Sequence, residues 1–166
     1  MAATARRTPL VRDVLVLGTL ALVAVVDQLS KYAITLFLPE GHSFPQVGPV
    51  RLTYVTNTGQ TFFLTVASVG AIAALLVFYR FYSAPKVVAR FSLGLLLGGS
   101  LGNLVDRVRL GYVVDFVDLR WWPVFNLADA SVVVGLLLFI ASLPPPRVRS
   151  RPTPRAPGAP PPEVGC

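Results

Sequence analysis

VLVLGTLALVAVVDQLSKYAITLFL, residues Val14–Leu38, decides the fold. It holds no proline and is apolar almost throughout, and it exceeds the roughly 20 residues that a helix needs to cross a hydrocarbon core. Backbone groups in lipid must be satisfied internally, so a run of this kind reads as a helix. Two side chains break its apolar character, Asp27 and Lys31. They lie four residues apart, share one helix face and are within reach of each other.

Outward from this run the pattern repeats. Proline falls at Pro39, Pro45, Pro49, Pro85 and Pro123, and the uninterrupted stretches between are apolar. Thr61–Tyr82, Lys86–Val105 and Val124–Leu143 join Val14–Leu38 as predicted spans. Over the 166 residues, 54% are hydrophobic and 14% charged, against about 25% charged in a soluble domain. The predicted fold class is therefore mainly α, a polytopic membrane protein with four transmembrane helices. Its divisions are a cytoplasmic N-terminal segment 1–13, a membrane domain 14–143 and a Pro/Arg-rich tail 144–166. The tail carries nine of the 15 prolines and is expected to be disordered.

The net charge of +7 fits anionic lipid better than nucleic acid, because the cations cluster at the ends of apolar runs and no recognition motif accompanies them. Arg6, Arg7 and Arg12 precede the first run, Arg80, Lys86 and Arg90 flank the turn between the second and third, and Arg147, Arg149, Arg151 and Arg155 follow the fourth. Positive-inside counting places both termini in the cytoplasm and the two longer loops outside. In those loops Arg51–Asn57 alternates apolar and polar residues, and Tyr112–Leu119 is rich in β-branched and aromatic ones. Both read as strands, which predicts a small extracytoplasmic β-like element. Trp121 and Trp122 sit where an interfacial aromatic belt belongs. Basic residues ahead of the first run resemble a signal peptide, but further spans follow it and no clean small-x-small cleavage site appears.

Ionisable groups at membrane depth cost roughly 2.5–3.5 kcal/mol each at mid-helix, so each needs a reason. Asp27 and Lys31 read either as a salt-bridged helix end with the lysine snorkelling or as part of a site. Gly98-Gly-Ser-Leu-Gly-Asn-Leu-Val-Asp-Arg107 reads as a small-residue packing seam closed by an Asp–Arg cap. It also places Asn103 and Arg107 on one face with Asp106 beside them, if the helix continues. Asp129 suits helix-start chemistry, and Asn126, three residues earlier, faces the same way. Asp115, inside the apolar segment Val113-Val-Asp-Phe116, has no such structural explanation. Asp115 and Asp129 both belong near the outer interface and are able to converge. Two carboxylates sharing a poorly hydrated site hold one proton between them. The ionised member takes a proton from water while the protonated one polarises a carbonyl.

Other chemistries lack parts. The only histidine, His42, has no partner in view, which removes Ser–His, Cys–His and zinc arrangements. Ser30 and Lys31 are adjacent, so on a helix their side chains diverge. The only cysteine, Cys166, ends the chain and offers neither a disulfide nor a metal cluster.

Taken together, Asp27-Gln-Leu-Ser-Lys31, Asn57-Thr-Gly59, Gly102-Asn-Leu-Val-Asp-Arg107, Gly111-Tyr-Val-Val-Asp-Phe116 and Phe125-Asn-Leu-Ala-Asp129 resemble, in this order, the motifs of the bacterial lipoprotein signal peptidase family (signal peptidase II, an aspartic peptidase). The resemblance runs from about Val14 to Leu143. It implies that Asp115 and Asp129 form the catalytic dyad and that Asn57, Gly59, Asn103, Asp106, Arg107 and Asn126 line or support the site. Asp27 and Lys31 would brace it from the first span. It implies a diacylglyceryl-modified prolipoprotein as substrate, cut on the amino side of the lipidated cysteine. No metal or organic cofactor, a monomer in membrane lipid and a place in the bacterial plasma (inner) membrane complete the expectation. Gln60 and Thr61 depart from the small residues that family members often carry after Asn-x-Gly. Two rivals stand beside this reading: a small proton- or ion-coupled transporter using Asp27, Lys31, Asp106 and Asp129 as a relay, and a scaffold whose polar residues only lock helices together.

Overall fold

In a computed structural model, residues 9–58, 61–81 and 87–143 are described. The elements run α1 (Pro9–Phe37), β1 (Ser43–Phe44), β2 (Arg51–Asn57), α2 (Thr61–Phe81), α3 (Val87–Leu110), β3 (Val113–Asp118) and α4 (Leu127–Ser142). The chain is mainly helical, with one small antiparallel sheet in the order β1-β2-β3. Val14–Phe37 and Val87–Leu110 are long and apolar enough to cross a membrane, whereas Phe62–Phe78 and Leu127–Ser142 are shorter apolar helices. The lipid-type surface is explicit on α1 and α4, where Leu22, Leu29, Leu36, Val133, Leu137 and Ile140 stand exposed. So much aliphatic surface on a chain of this composition belongs to a membrane protein.

Helix α3 is the centre of the bundle and packs against α1, α2 and α4. Its small residues permit this. A Cβ at Gly98 would lie 2.8 Å from the Leu20 carbonyl oxygen and from Val23 Cβ on α1, and one at Gly102 would lie 2.5 Å from Asp27 Oδ2. Gly99 lies directly against the Ala128 carbonyl of α4. Gly135 completes the seam from the other side, with Leu95 Cβ and the Ser92 carbonyl each 3.0 Å from where its Cβ would be. This is the close helix approach that small residues allow in the absence of a hydrophobic driving force between helices.

The first run falls in α1, which begins earlier, at Pro9, and ends one residue short, at Phe37; the two loop segments supply β2 and β3. Three further differences from the sequence reading stand out. The third helix runs past Val105 to Leu110, so Asp106 and Arg107 are helical and not a loop start. The fourth begins at Leu127, because Asn126 is extended (φ −120°, ψ −178°) and acts as its N-cap. Phe125 instead pairs with Val117 as an isolated bridge, exchanging bonds of 2.7 and 3.1 Å. An apolar run gives no hint of that pairing. The third difference is β1, two residues paired as Ser43↔Thr53 and Phe44↔Leu52, too short to carry an alternation. Tyr82, Lys86, residues 1–8 and the tail 144–166 lie outside the described residues, whereas residues 9–13 of the expected N-terminal segment belong to α1.

Strand β2 pairs with β3 as Arg51↔Asp118, Leu52↔Val117, Val55↔Asp115, Thr56↔Val114 and Asn57↔Val113. Between Leu52 and Val55 the register shifts by one extra residue on β2, a bulge that bends and twists the strand. Past the bulge, Asn57 is within reach of Asp115.

Candidate active site

The site is assembled where the C-terminal end of α3, the strand β3 and the start of α4 meet. Asn126 is at its middle, fully buried. As N-cap its Oδ1 accepts from the Asp129 backbone N–H at 2.9 Å, while Asp129 Oδ2 accepts from the Asn126 backbone N–H at 3.2 Å. This reciprocal capping box fixes the first turn of α4 and the aim of the Asp129 carboxylate together. The Asn126 amide is then free to point elsewhere, and its Nδ2 donates to Asp115 Oδ1 at 2.7 Å and to Asn103 Oδ1 at 3.0 Å. Asn103 Nδ2 donates to Asp129 Oδ1 at 2.7 Å. Asn57 Nδ2 reaches Asp115 Oδ2 at 3.3 Å from the end of β2. Asp115 and Asp129 are thus tied to each other through two asparagine amides contributed by α3 and the α4 cap.

Electrostatics separate the two acids. Burial, and then the charge of Asp129, push the Asp115 carboxyl up from 3.8 to about 6, against the opposing hydrogen bonds from Asn57 and Asn126. Asp129 is more open to solvent, and both its oxygens accept hydrogen bonds.

Behind the asparagines lies a buried ionic cluster. Lys31 Nζ is 2.8 Å from Asp27 Oδ2 and 2.8 Å from Asp106 Oδ2, and it donates to Asn103 Oδ1 at 2.9 Å. All four side chains are buried. Asp27 Oδ1 accepts from the Ala128 backbone N–H at 2.9 Å, satisfying one of the orphan donors at the α4 start. Gln28 Nε2 donates to Asp106 Oδ1 at 2.7 Å and to the Gly102 carbonyl at 3.2 Å. With every member partnered, the cluster is a rigid base for Asn103 and α4. Among the described residues no group of three or more His, Cys, Asp or Glu is placed to hold a metal ion.

The family model described as signal peptidase (SPase) II matches residues 19–144. The chain belongs to the signal peptidase II family. It is 45% identical over 126 residues to the lipoprotein signal peptidase of Moorella thermoacetica, an alignment covering 70% of this chain and 84% of the relative. It is 44% identical over 134 residues to that of Pelotomaculum thermopropionicum, covering 75% and 88%. Two solved bacterial membrane enzymes determined by the in meso method, at 2.3 and 1.9 Å resolution, superpose with TM-scores of 0.71 at 28% identity. Each match covers 76% of this chain, with 85% and 90% of the respective solved chains. As a signal peptidase II this is a peptidase, and the ion-relay transporter has no support among these relatives.

Of the residues singled out in the sequence, Asp27, Lys31, Asn57, Asn103, Asp106, Asp115, Asn126 and Asp129 all fall in this one network. Arg107 is set apart from it, since its Nη1 donates to Ser68 Oγ of α2 at 3.0 Å. Gly59 and Gln60 lie outside the described residues. Gln28 carried a signal that was open to reading, because an amide buried in an apolar run needs partners as a carboxylate does. The backbone N–H of Ala128 and of Val114, which reaches Asp106 Oδ2 at 3.4 Å, has no signature in residue identity. A second polar cluster on the sheet, in which Arg51 Nη2 meets Asp118 Oδ2 at 2.5 Å and Thr53 donates to the same oxygen at 3.2 Å, also escaped the sequence reading.

Proposed function

We propose that this chain is a membrane aspartic endopeptidase that removes the signal peptide from diacylglyceryl-modified prolipoproteins, with Asp115 and Asp129 as its catalytic pair. The observation that carries the reading is the Asn126 amide, bonded at once to Asp115 and, through the cap, to Asp129. Two carboxylates held in one buried polar net, with one pushed up to about 6, have the properties that acid–base peptide hydrolysis needs.

In the proposed mechanism Asp129 is the ionised member. It takes a proton from a water molecule as the oxygen attacks the carbonyl carbon preceding the lipidated cysteine. Asp115 gives its proton to the carbonyl oxygen, which forms a neutral gem-diol. Asp129 then passes its proton to the cysteine nitrogen as the C–N bond breaks, and Asp115 recovers a proton from a gem-diol hydroxyl. The products are the signal-peptide carboxyl and the free amine of the cysteine, and no covalent enzyme intermediate forms. Asn57, Asn103 and Asn126 orient the pair, and Asp27, Asp106 and Lys31 hold those amides in place. Arg107 supports the α2–α3 wall.

The proposal extends to topology. Residues 14–143 form the membrane domain, crossed four times, with both termini in the cytoplasm and the pair toward the outer leaflet of the bacterial plasma membrane. Helix α4 has 16 residues, about 24 Å at 1.5 Å per residue. Its extended lead-in continues the crossing with the backbone satisfied by β3, through Phe116 N–H and Val117 N–H to the Phe125 carbonyl at 3.0 and 2.7 Å. The enzyme acts as a monomer without a metal or organic cofactor.

The test is cleavage of a diacylglyceryl-modified prolipoprotein by the purified protein beside the unlipidated form. The expected result is a cut before the cysteine in the lipidated form alone, abolished by Asp115→Asn and by Asp129→Asn. A folded preparation that cuts neither form, or variants as active as the parent, would overturn the assignment.

A further inference from the structure

The lipid on the substrate's cysteine needs a receptor, and the position of the scissile bond limits where it lies. The cysteine supplies the leaving nitrogen, so its sulfur and glyceryl group start a few bonds from the attacked carbonyl. Their receptor must share a wall with one of the two carboxylates.

Two cavities do so. One, of about 360 Å³, is lined by Thr56, Asn57, Thr58 and Asp115 with Pro123 and Val124, and suits peptide groups. The other, also about 360 Å³, is walled by Trp121, Trp122, Phe125, Val133 and Val134, with Asp129 as its only charged group. A larger cavity, about 630 Å³ between α1 and the sheet, is lined by Phe116 and Phe44 but by neither aspartate. Phe116 follows Asp115 along a strand and so points to the opposite face.

The aspartate-bearing apolar cavity is elongated in the useful direction. Asp129 is in the first turn of α4, and Val133 and Val134 follow on the same helix, about 6–8 Å further along its axis. Both valines are about half exposed (57% and 48%), and the surface continues to Leu137 at 63%. Across from them Trp121 and Trp122 meet edge to face at 5.8 Å, the kind of aromatic pair that sits at the headgroup level of a bilayer. The trough therefore leads from a proposed catalytic carboxylate, past two indoles, onto the lipid-facing side of α4.

We infer that this trough, walled by Trp121, Trp122 and Val133, receives the diacylglyceryl group of the substrate cysteine, and that the tryptophans set the preference for lipidated over bare prolipoprotein. The inference rests on the peptidase reading. The acyl chains run along the trough past Val133 and Val134 toward Leu137 before they enter the bilayer, so its walls meet the chain methylenes as well as the glyceryl group. The signal peptide occupies the Asn57 side.

The test uses the full chain in detergent and two prolipoprotein substrates, one with S-dipalmitoylglyceryl and one with S-dihexanoylglyceryl cysteine. The variants are Trp121→Ala, Trp121→Phe, Val133→Trp and, as a control in the cavity across the sheet, Phe44→Ala. Trp121 and Val133 are exposed, at 78% and 57%, so their replacement leaves the core intact. Loss of indole contact in Trp121→Ala should raise KM for the dipalmitoyl substrate about tenfold, the scale of one large apolar contact. The dihexanoyl substrate should lose less than the dipalmitoyl one, Trp121→Phe should recover most of the deficit, and Val133→Trp should block the long-chain substrate most. Phe44→Ala should behave as the parent. Equal losses on both substrates, or a fall in kcat with KM unchanged, would overturn the inference and hand the trough to a signal-peptide side chain or to structure. A parent that cleaves neither lipidated substrate would remove the peptidase reading itself, and the inference with it.

Discussion

Replacing Asp115 by Asn should abolish cleavage and at the same time make the protein more stable at neutral pH. The carboxyl is pushed up from 3.8 to about 6 by burial and by Asp129. The folded state therefore holds this proton more tightly than the unfolded chain does. Stability from the bound proton is fully present below about 4 and is lost as the pH rises through about 6. Each pH unit of that interval is worth about 1.36 kcal/mol, which puts the penalty at about 3 kcal/mol above pH 7. Solvent reaching the carboxyl through the cavity beside Asn57 and Thr58 screens part of it, leaving about 2 kcal/mol. Asparagine has nearly the same shape and carries no charge. It still accepts one of the two amides that Asp115 accepts from Asn57 and Asn126 and forfeits the other, at about 1 kcal/mol. The net expectation is a variant about 1 kcal/mol more stable than the parent at pH 8 and about 1 kcal/mol less stable at pH 4. Denaturant unfolding in detergent, followed by tryptophan fluorescence at several pH values, reads the difference. A stability difference that stays flat from pH 4 to 8, or that has the opposite slope, would refute the idea that Asp115 is the strained member of the pair.

The remaining predictions follow from other parts of the network. In the parent, kcat/KM should fall on an alkaline limb centred near pH 6, as Asp115 loses the proton it must donate; a profile flat from pH 5 to 8 would count against Asp115 as the acid. Lys31→Met should leave Asp27 and Asp106 buried without their cation and lower stability by about 3–5 kcal/mol, with partial recovery when Asp106→Asn is added, as measured by denaturant midpoint. Gly99→Ala should cost about 1–3 kcal/mol, because the new Cβ meets the Ala128 backbone of α4, whereas Gly70→Ala on α2, with nothing within 4 Å, should be neutral or gain up to about 1 kcal/mol. Arg51 holds the Asp118 carboxyl below its usual 3.8, and this contribution is present above 3.8 and lost as the pH falls through the lowered value. Arg51→Leu should therefore weaken the protein at neutral pH and flatten its acid melting curve below pH 4.

Much of this architecture was legible because its main signals are local. Apolar runs bounded by proline specify helices, and residues 51–57 alternate as a half-buried strand should. The residues that meet in the polar network were legible for a related reason: Asp27, Lys31, Asn103 and Asp115 are costly where they stand, so each called for partners. What was not legible depends on contacts far apart in sequence. Helix α4 starts at Leu127 because Phe125 is captured by Val117 and because Asn126 caps the helix, and both facts belong to the tertiary fold. The Asp27 bond to the Ala128 N–H spans 101 residues and uses a backbone group that every residue but proline owns. Arg107 sits on the expected helix, yet its partner is Ser68, because α2 approaches on that side.

The capping box at Asn126 also has a bearing on the order in which the enzyme comes into being. The Asn126 amide that meets Asp115 and the carboxylate of Asp129 are both set by the first turn of α4, the last of the described helices. Until that helix leaves the ribosome and docks on α3, Asp115 lacks the Asn126 amide and Asp129 is not yet in place. Before that, the nascent chain has no assembled form of the proposed pair. Docking of α4 and assembly of the proposed pair are thus the same event, a restraint of the kind that many proteases obtain from a removable pro-segment.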